Sequence, residues 1–135
     1  MSTKERKGQI LVVDDDPRIG KILQINLGLS GYDVITTTRG AEAIEIVRSH
    51  EPDIVLLDVV MPEITGLELL EQLRCFSQVP VILFTGHPKI VGMALASGAN
   101  DSIVKPFDLD LLAEKIRRCL GGKGAHGNPE QDSPR

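Results

Sequence analysis

The sequence predicts an α/β protein of three layers, in which a doubly wound (βα)5 chain forms a five-stranded parallel sheet with helices on both faces. Three observations support this fold class. Short runs rich in Val, Ile and Leu alternate with helix-like segments five times along the chain. The runs are apolar throughout rather than at every second position, which is typical of strands buried on both faces. The 135 residues, 41% of them hydrophobic, suit one globular domain.

Five strands are predicted from these apolar runs, which are short and carry many β-branched side chains. Crossover connections between parallel strands are almost always right-handed, so the carboxyl ends of all the strands meet at one edge of the sheet. Ligands of such folds bind outside that edge. The predicted strands are 9–13, 33–36, 53–57, 80–84 and 102–104.

Five helices are predicted between and after the strands. Pro17 stands at a favourable first helical position, and Pro52 follows the end of the second helix. The last helix begins at Asp108, a residue type that commonly caps helix N-termini, and then places apolar residues at helical spacing. The predicted helices are 17–29, 40–50, 66–75, 88–97 and 108–120.

The chain is expected to divide into three parts. Residues 1–8 form an N-terminal extension and 9–120 the folded domain. Residues 121–135 are expected to be a flexible tail or linker stub, because they are polar, rich in Gly and Pro, and without periodicity. Cys75 and Cys119 have neither metal-ligand nor redox-motif spacing, so we predict that both are reduced structural thiols.

Charge and hydropathy exclude several classes of protein. The net charge of −4 argues against a nucleic-acid-binding surface, which is usually basic. The apolar runs are much shorter than the roughly 18 residues of a membrane-spanning helix, and the polar start lacks the apolar stretch of a signal peptide. We therefore expect a cytoplasmic protein that binds neither nucleic acid nor membrane directly.

Polar residues follow four of the predicted strands at the point where each strand ends. Three consecutive aspartates, 14–16, follow the first strand, and Asp58, Thr85 and Lys105 follow the third, fourth and fifth. Each alone is an ordinary turn or helix-cap residue. Together, the crowded carboxylates favour a Mg²⁺ site, because a hard cation offsets their mutual repulsion. A carboxylate, an ammonium and a hydroxyl beside Mg²⁺ are also suited to phosphoryl transfer.

Four motifs stand in this order at these strand ends: "VVDDD", "LLDVVMPEITG", "ILFTG" and "IVKPF". Together they resemble the receiver domain of bacterial two-component response regulators, over residues 9 to about 120. The resemblance implies a flavodoxin-like fold with strand order 2-1-3-4-5. It also implies that the chain takes a phosphoryl group from a sensor histidine kinase or a histidine phosphotransfer protein.

The resemblance assigns the metal-binding and acceptor roles to matching positions. Asp58 is implied to accept the phosphoryl group. Mg²⁺ is implied to be bound directly by Asp15, Asp58 and the backbone carbonyl of Val60, with Asp14 acting mainly through water. Asp16 has no fixed role in the family.

The resemblance also implies that Thr85 and Lys105 contact the phosphoryl oxygens and that the Lys105–Pro106 peptide is often cis. Such a domain is not an enzyme for a separate substrate and catalyses only its own phosphorylation and dephosphorylation. Many receivers carry Tyr or Phe three residues before the lysine, where this chain has Ser102. The positions expected to switch or modulate the site are Val60, Gly86, His87, Ser102 and Pro106.

The downstream partner is expected to be a separate protein or a fused output domain. The fourth helix is apolar on several sides, so its outer apolar residues are expected either to form an exposed partner surface or to be covered by the nearby loops. Gly92 in its middle is expected to make this helix less rigid than its neighbours.

Two other functions are compatible with part of the pattern. A phosphohydrolase of the haloacid dehalogenase type places two aspartates like Asp14 and Asp16 after its first strand, although Arg18 stands where that pattern has Thr. This dehalogenase-type alternative also leaves the position of Asp58 unexplained. The other alternative is a constitutive pseudo-receiver that acts only as an interaction module. The complete set of polar residues at the strand ends argues against it: Asp14, Asp15, Asp58, Thr85 and Lys105.

Overall fold

A computed structural model describes residues 7–124 of the chain. The predicted N-terminal extension up to residue 6 and the predicted tail from residue 125 onward lie outside the described residues. The elements are β1 (Gln9–Val13), α1 (Pro17–Leu29), β2 (Asp33–Thr37), α2 (Gly40–His50), β3 (Ile54–Asp58), α3 (Gly66–Arg74), β4 (Val81–Thr85), α4 (Ile90–Ala96), β5 (Asp101–Val104) and α5 (Leu109–Gly124).

The sheet is fully parallel, with strand order β2-β1-β3-β4-β5. One face packs against α2, α3 and α4 through a core that includes Leu57, Leu70 and Leu83. The other face packs against α1 and α5 through a core that includes Leu23 and Ile116. The predicted fold class and strand order are therefore confirmed.

Two helices differ from their predicted bounds by more than one residue at an end. Helix α4 has only seven residues, Ile90–Ala96, because the chain from Gly86 to Lys89 forms a turn before it. Helix α5 continues to Gly124, four residues beyond the predicted end at residue 120. Glycine disfavours a helix without forbidding it, so the glycines at 121 and 122 do not end a helix whose earlier turns are packed on the sheet.

The two cysteines are free thiols on opposite faces of the sheet. Cys75 caps the C-terminus of α3, and Cys119 lies on α5. Cys119 packs against the core, and burial raises the pKa of its thiol, which therefore stays protonated. Cys75 is exposed, so the predicted structural role holds for Cys119 alone. Among residues 7–124, no helix has the length and hydropathy needed to cross a membrane.

Candidate functional site

The predicted site residues meet at the carboxyl edge of the sheet. The strand register places the end of β1 beside that of β3, with Val13 opposite Leu57. It also places Asp58 opposite Phe84, immediately before Thr85. The backbone N–H of Lys105, just after β5, donates to the carbonyl of Thr85 at 2.7 Å. The carboxyl ends of four neighbouring strands of the sheet, β1, β3, β4 and β5, thus contribute to one site.

Three carboxylates form an acidic pocket, defined here as Asp14, Asp15 and Asp58. One oxygen of each lies within 4.8 Å of one oxygen of the other two. Asp14 and Asp58 are almost completely buried, with exposures of 2% and 4%, whereas Asp15 is exposed to solvent. The pocket therefore combines two buried carboxylates with one that is exposed to solvent. Such a set of oxygen ligands suits a small divalent cation.

The Lys105 ammonium lies between the two buried carboxylates. Its Nζ is 3.1 Å from Asp14 Oδ2 and 3.3 Å from Asp58 Oδ1. Partial burial lowers the pKa of Lys105, but the two carboxylates outweigh that effect and raise the pKa overall. The ammonium is therefore fully charged at neutral pH.

Asp58 is harder to ionise than an ordinary aspartate. Burial is the largest cause and the negative charge of Asp14 the second, and together they raise the pKa of Asp58 to about 6. Lys105 and the N–H of Val60, which donates to Asp58 Oδ1 at 3.3 Å, limit the rise. The Asp58 carboxylate at neutral pH is consequently a poorly solvated, reactive anion.

Thr85 is 1% exposed and its hydroxyl faces the loop that follows β4. Its Oγ1 accepts a hydrogen bond from the backbone N–H of His87 at 2.9 Å and lies 3.4 Å from the carbonyl of His87. The hydroxyl thus holds the first turn of the β4–α4 loop. A change in what this hydroxyl contacts would act directly on the start of α4.

The β3–α3 loop, residues 59–65, carries Val60, whose side chain is 58% exposed. The loop closes on itself because the N–H of Gly66 donates to the carbonyl of Val59 at 2.7 Å. A Cβ at position 66 would lie 2.7 Å from Val59 Cα and closer still to the carbonyl oxygen of Asp58. Position 66 must therefore be glycine, a requirement that the glycine of "MPEITG" could have signalled and that the sequence analysis missed.

The predicted switch positions differ in how far their side chains are exposed to solvent. Gly86, His87 and Pro106 are exposed around the site, and the Lys105–Pro106 peptide is cis. Ser102 is buried on β5, in register with Leu83. It lines a groove of about 560 Å³ between α4, β5 and α5. The small side chain therefore leaves open the space beside α4.

The Asp16 side chain lies outside the acidic pocket, although the backbone N–H of Asp16 donates to Asp14 Oδ1 at 2.9 Å. It caps α1 by accepting the N–H of Arg18 at 2.9 Å, and it forms a two-pronged ion pair with the Arg18 guanidinium. This hydrogen-bonded pair lowers the pKa of Asp16. The Asp16 carboxylate is bound to Arg18 while the Asp14 carboxylate contacts Lys105, so the two side chains do not act as the pair that a dehalogenase-type phosphohydrolase requires.

Fold and site together define a doubly wound α/β domain with a lysine-bridged acidic pocket at the carboxyl edge of its sheet. The family model described as the response regulator receiver domain matches residues 10–117. The chain therefore belongs to the receiver domain family, and the prediction made from its motifs is confirmed.

Known proteins agree with this assignment. The transcriptional regulatory protein KdpE of Mycobacterium tuberculosis (strain ATCC 25618 / H37Rv) is 36% identical over 124 residues, which cover 90% of this chain and 55% of that protein. The Francisella response regulator 1452 receiver domain superposes with a TM-score of 0.82 at 27% identity, covering 87% of this chain and 99% of that one.

A further solved structure is the BeF3-activated N-terminal receiver domain of Klebsiella pneumoniae RstA, with a TM-score of 0.79 and 33% identity. The superposition covers 83% of this chain and 97% of that one. The chain spans about half the length of the curated relatives it matches.

Proposed function

We propose that this receiver domain accepts a phosphoryl group on Asp58 and thereby controls a protein-interaction surface. An oxygen of the Asp58 carboxylate attacks phosphorus, and the bond between phosphorus and a histidine nitrogen of the donor breaks, with the electron pair leaving on that nitrogen. Hydrolysis later returns the carboxylate and releases inorganic phosphate. The donor is a sensor histidine kinase or a histidine phosphotransfer protein.

The acidic pocket fits Mg²⁺ by the number and type of its oxygen ligands. Asp15, Asp58 and the carbonyl of Val60 would hold the ion, with Asp14 contributing through water. When bound, Mg²⁺ neutralises charge on the transferring phosphoryl oxygens and lowers the repulsion that they meet from the carboxylates.

Lys105 and Thr85 contribute the remaining stabilisation. The ammonium of Lys105 already lies 3.3 Å from the acceptor carboxylate, so it is within reach of a phosphoryl group attached there. The hydroxyl of Thr85, at the neighbouring strand end, would donate to a phosphoryl oxygen in place of its long contact with the carbonyl of His87. That exchange would draw the β4–α4 loop inward.

The observation that carries the proposal is the contact of one ammonium with two buried carboxylates at the carboxyl edge of the sheet. A stabilising role alone does not account for it, because buried charge pairs contribute little net stability. The alternative of a constitutive pseudo-receiver uses none of this chemistry.

Exposure to acetyl phosphate and Mg²⁺ tests the proposal. One phosphoryl group should be added to the wild-type protein, detected as an increase in intact mass, and none to the Asp58→Ala variant or in the presence of EDTA. Asp16→Ala serves as the control, because Asp16 lies outside the pocket. Undiminished labelling of Asp58→Ala would refute the assignment of the acceptor.

The lifetime of the phosphoaspartate is expected to depend on Val60. Its exposed apolar side chain flanks the acceptor and cannot orient an attacking water. Val60→Asn introduces a hydrogen-bonding amide at this position, so we expect a changed rate of dephosphorylation, measured by the loss of phosphorylated protein after removal of acetyl phosphate. Val59→Ile, a change at the buried neighbour, controls for altered packing of the loop. Equal rates in the wild-type protein and Val60→Asn would contradict the prediction.

The output surface is proposed to be the face formed by α4, β5 and α5. Its exposed apolar residues are Met93, Leu95, Val104 and Leu111. The relative KdpE is a transcriptional regulatory protein, which suggests that the partner, or a further segment of a longer protein, acts in transcription. Kinases draw their phosphoryl groups from ATP, so we place the exchange in the cytoplasm.

Hydrogen exchange should report the switching of this face. With BeF3⁻ and Mg²⁺ as a phosphoryl mimic, we expect altered protection across residues 86–104, because the Thr85 hydroxyl holds the loop that leads into α4. The Thr85→Ala variant should show a much smaller change. Unchanged protection in 86–104, together with a change elsewhere, would contradict the proposed switch.

A further inference from the structure

The β3–α3 loop is supported from the side by helix α2. Ile64, near the C-terminal end of the loop, packs against the core beneath α2 and α3. Gly40, the first residue of α2, is buried directly against it. A Cβ at position 40 would lie 2.5 Å from Ile64 Cγ2, whereas real Cβ contacts are essentially never below 3.0 Å. Ile64 therefore packs directly on the backbone of Gly40, and any residue other than glycine at position 40 would collide with it.

The start of α2 is tied to the other side of the acidic pocket. Thr37, at the end of β2, accepts the N–H of Asp14 through its carbonyl at 3.2 Å. The Thr37 hydroxyl oxygen accepts the N–H of Arg39, the residue before Gly40, at 3.2 Å. Thr37 is 6% exposed and also donates to Glu42 in the first turn of α2. Through these hydrogen bonds Thr37 holds both the backbone of Asp14 and the start of α2, where Gly40 contacts Ile64.

We propose that Gly40 and Ile64 act as a positioning pair for the Mg²⁺ site, an inference that rests on the proposed function. The contact sets the distance between the β3–α3 loop, which follows Asp58 and supplies the Val60 carbonyl, and the Asp14 side of the pocket. Ile64 Cγ2 is bonded directly to Cβ, and β-branched side chains have little freedom at χ1. A side chain at position 40 therefore displaces the loop by about 1 Å, the shift needed to restore a carbon–carbon separation of about 3.5 Å.

The test measures Mg²⁺ binding itself, by titrating the unphosphorylated protein and following the backbone amide signals of Asp15 and Val60 in NMR spectra. Gly40→Ala is expected to weaken Mg²⁺ binding by about tenfold, the lower end of the effect of supporting residues around metal ligands. Gly28→Ala is the matched control, because Gly28 is also helical and its added Cβ would meet no atom within 4 Å. It should bind Mg²⁺ like the wild-type protein.

Rescue separates positioning from a general loss of structure. Ile64→Leu keeps the volume but removes the colliding methyl group, so Gly40→Ala combined with Ile64→Leu should bind Mg²⁺ as Ile64→Leu alone does. A double variant that stays as weak as Gly40→Ala would overturn the proposal. So would a Gly40→Ala variant that loses thermal stability in EDTA yet binds Mg²⁺ normally.

A second variant covers a failure of Gly40→Ala to fold. Ile64→Ala removes the contact from the loop side and is expected to weaken Mg²⁺ binding, and unchanged binding would overturn the proposal. A wild-type protein whose Asp15 and Val60 signals do not respond to Mg²⁺ would overturn the proposed function as well. If the wild-type protein binds Mg²⁺ and none of these substitutions changes that affinity, the positioning role of Gly40 and Ile64 is overturned and the proposed function is not.

Discussion

The Asp58→Asn variant is expected to be more stable than the wild-type protein at neutral pH without divalent cations, by on the order of 2 kcal/mol in the free energy of unfolding. Burial and Asp14 raise the pKa of Asp58 to about 6 from the ordinary value of 3.8. Between these values the folded state keeps a proton that the unfolded state has lost. Wild-type stability therefore falls as pH rises through this window, and the full penalty is present above about pH 6. Asparagine cannot ionise and avoids it.

Urea unfolding in EDTA checks this expectation at neutral pH and near pH 4. The stability difference should be large at neutral pH and much smaller near pH 4, where the carboxyl is protonated in the folded state and only partly ionised in the unfolded state. Glu71→Gln, which neutralises an exposed carboxylate, should stay within about 0.5 kcal/mol of the wild-type protein. A wild-type protein as stable as Asp58→Asn at neutral pH would show that Asp58 ionises there without cost.

The Lys105→Met variant is expected to lose phosphorylation and gain affinity for Mg²⁺. The ammonium lies 3.3 Å from the carboxylate of Asp58, the proposed acceptor. Its removal should therefore slow the reaction with acetyl phosphate by about 10²-fold or more, the usual effect of losing one charge-stabilising donor. The same ammonium competes with a cation for Asp14 and Asp58, so Mg²⁺ should bind more tightly without it. Initial rates of phosphorylation and an NMR titration with Mg²⁺ measure the two effects.

Lys115→Met provides the matched control for this result. Lys115 is also partly buried and paired with a carboxylate, that of Asp101 at 3.0 Å, but it lies on α5 away from the acidic pocket. It should keep both the rate of phosphorylation and the affinity for Mg²⁺. An equal loss of rate in both variants would indicate a general structural effect. An unchanged rate in Lys105→Met would remove Lys105 from the mechanism.

Local sequence patterns were sufficient to predict the strands and the polar residues at their ends. A parallel strand buried on both faces leaves a continuous apolar run, and Asp58 follows such a run directly. Because the strands are all parallel, their carboxyl ends meet at one edge of the sheet, which brings Lys105 to Asp14 across 91 positions of sequence.

Contacts that depend on side-chain packing could not be predicted in this way. Nothing local to Gly40 signals that Ile64, in another loop, rests on it. The role of Arg74 was also missed. Its guanidinium donates to the carbonyls of Ser77 and Gly98 and to Asn100 Oδ1, joining the end of α3 to the α4–β5 loop. These acceptors are mostly backbone atoms, whose positions the residue types do not reveal.

We propose that a single carboxylate, that of Asp58, carries the phosphoryl group. The most direct measurement maps the position of that group. After reaction with acetyl phosphate and Mg²⁺, borohydride reduction converts the phosphorylated aspartate to homoserine, which peptide mass spectrometry locates. We expect homoserine at position 58 and at no other aspartate position. Homoserine at position 14, as a dehalogenase-type nucleophile would give, or no conversion at position 58 of a phosphorylated protein, would contradict it.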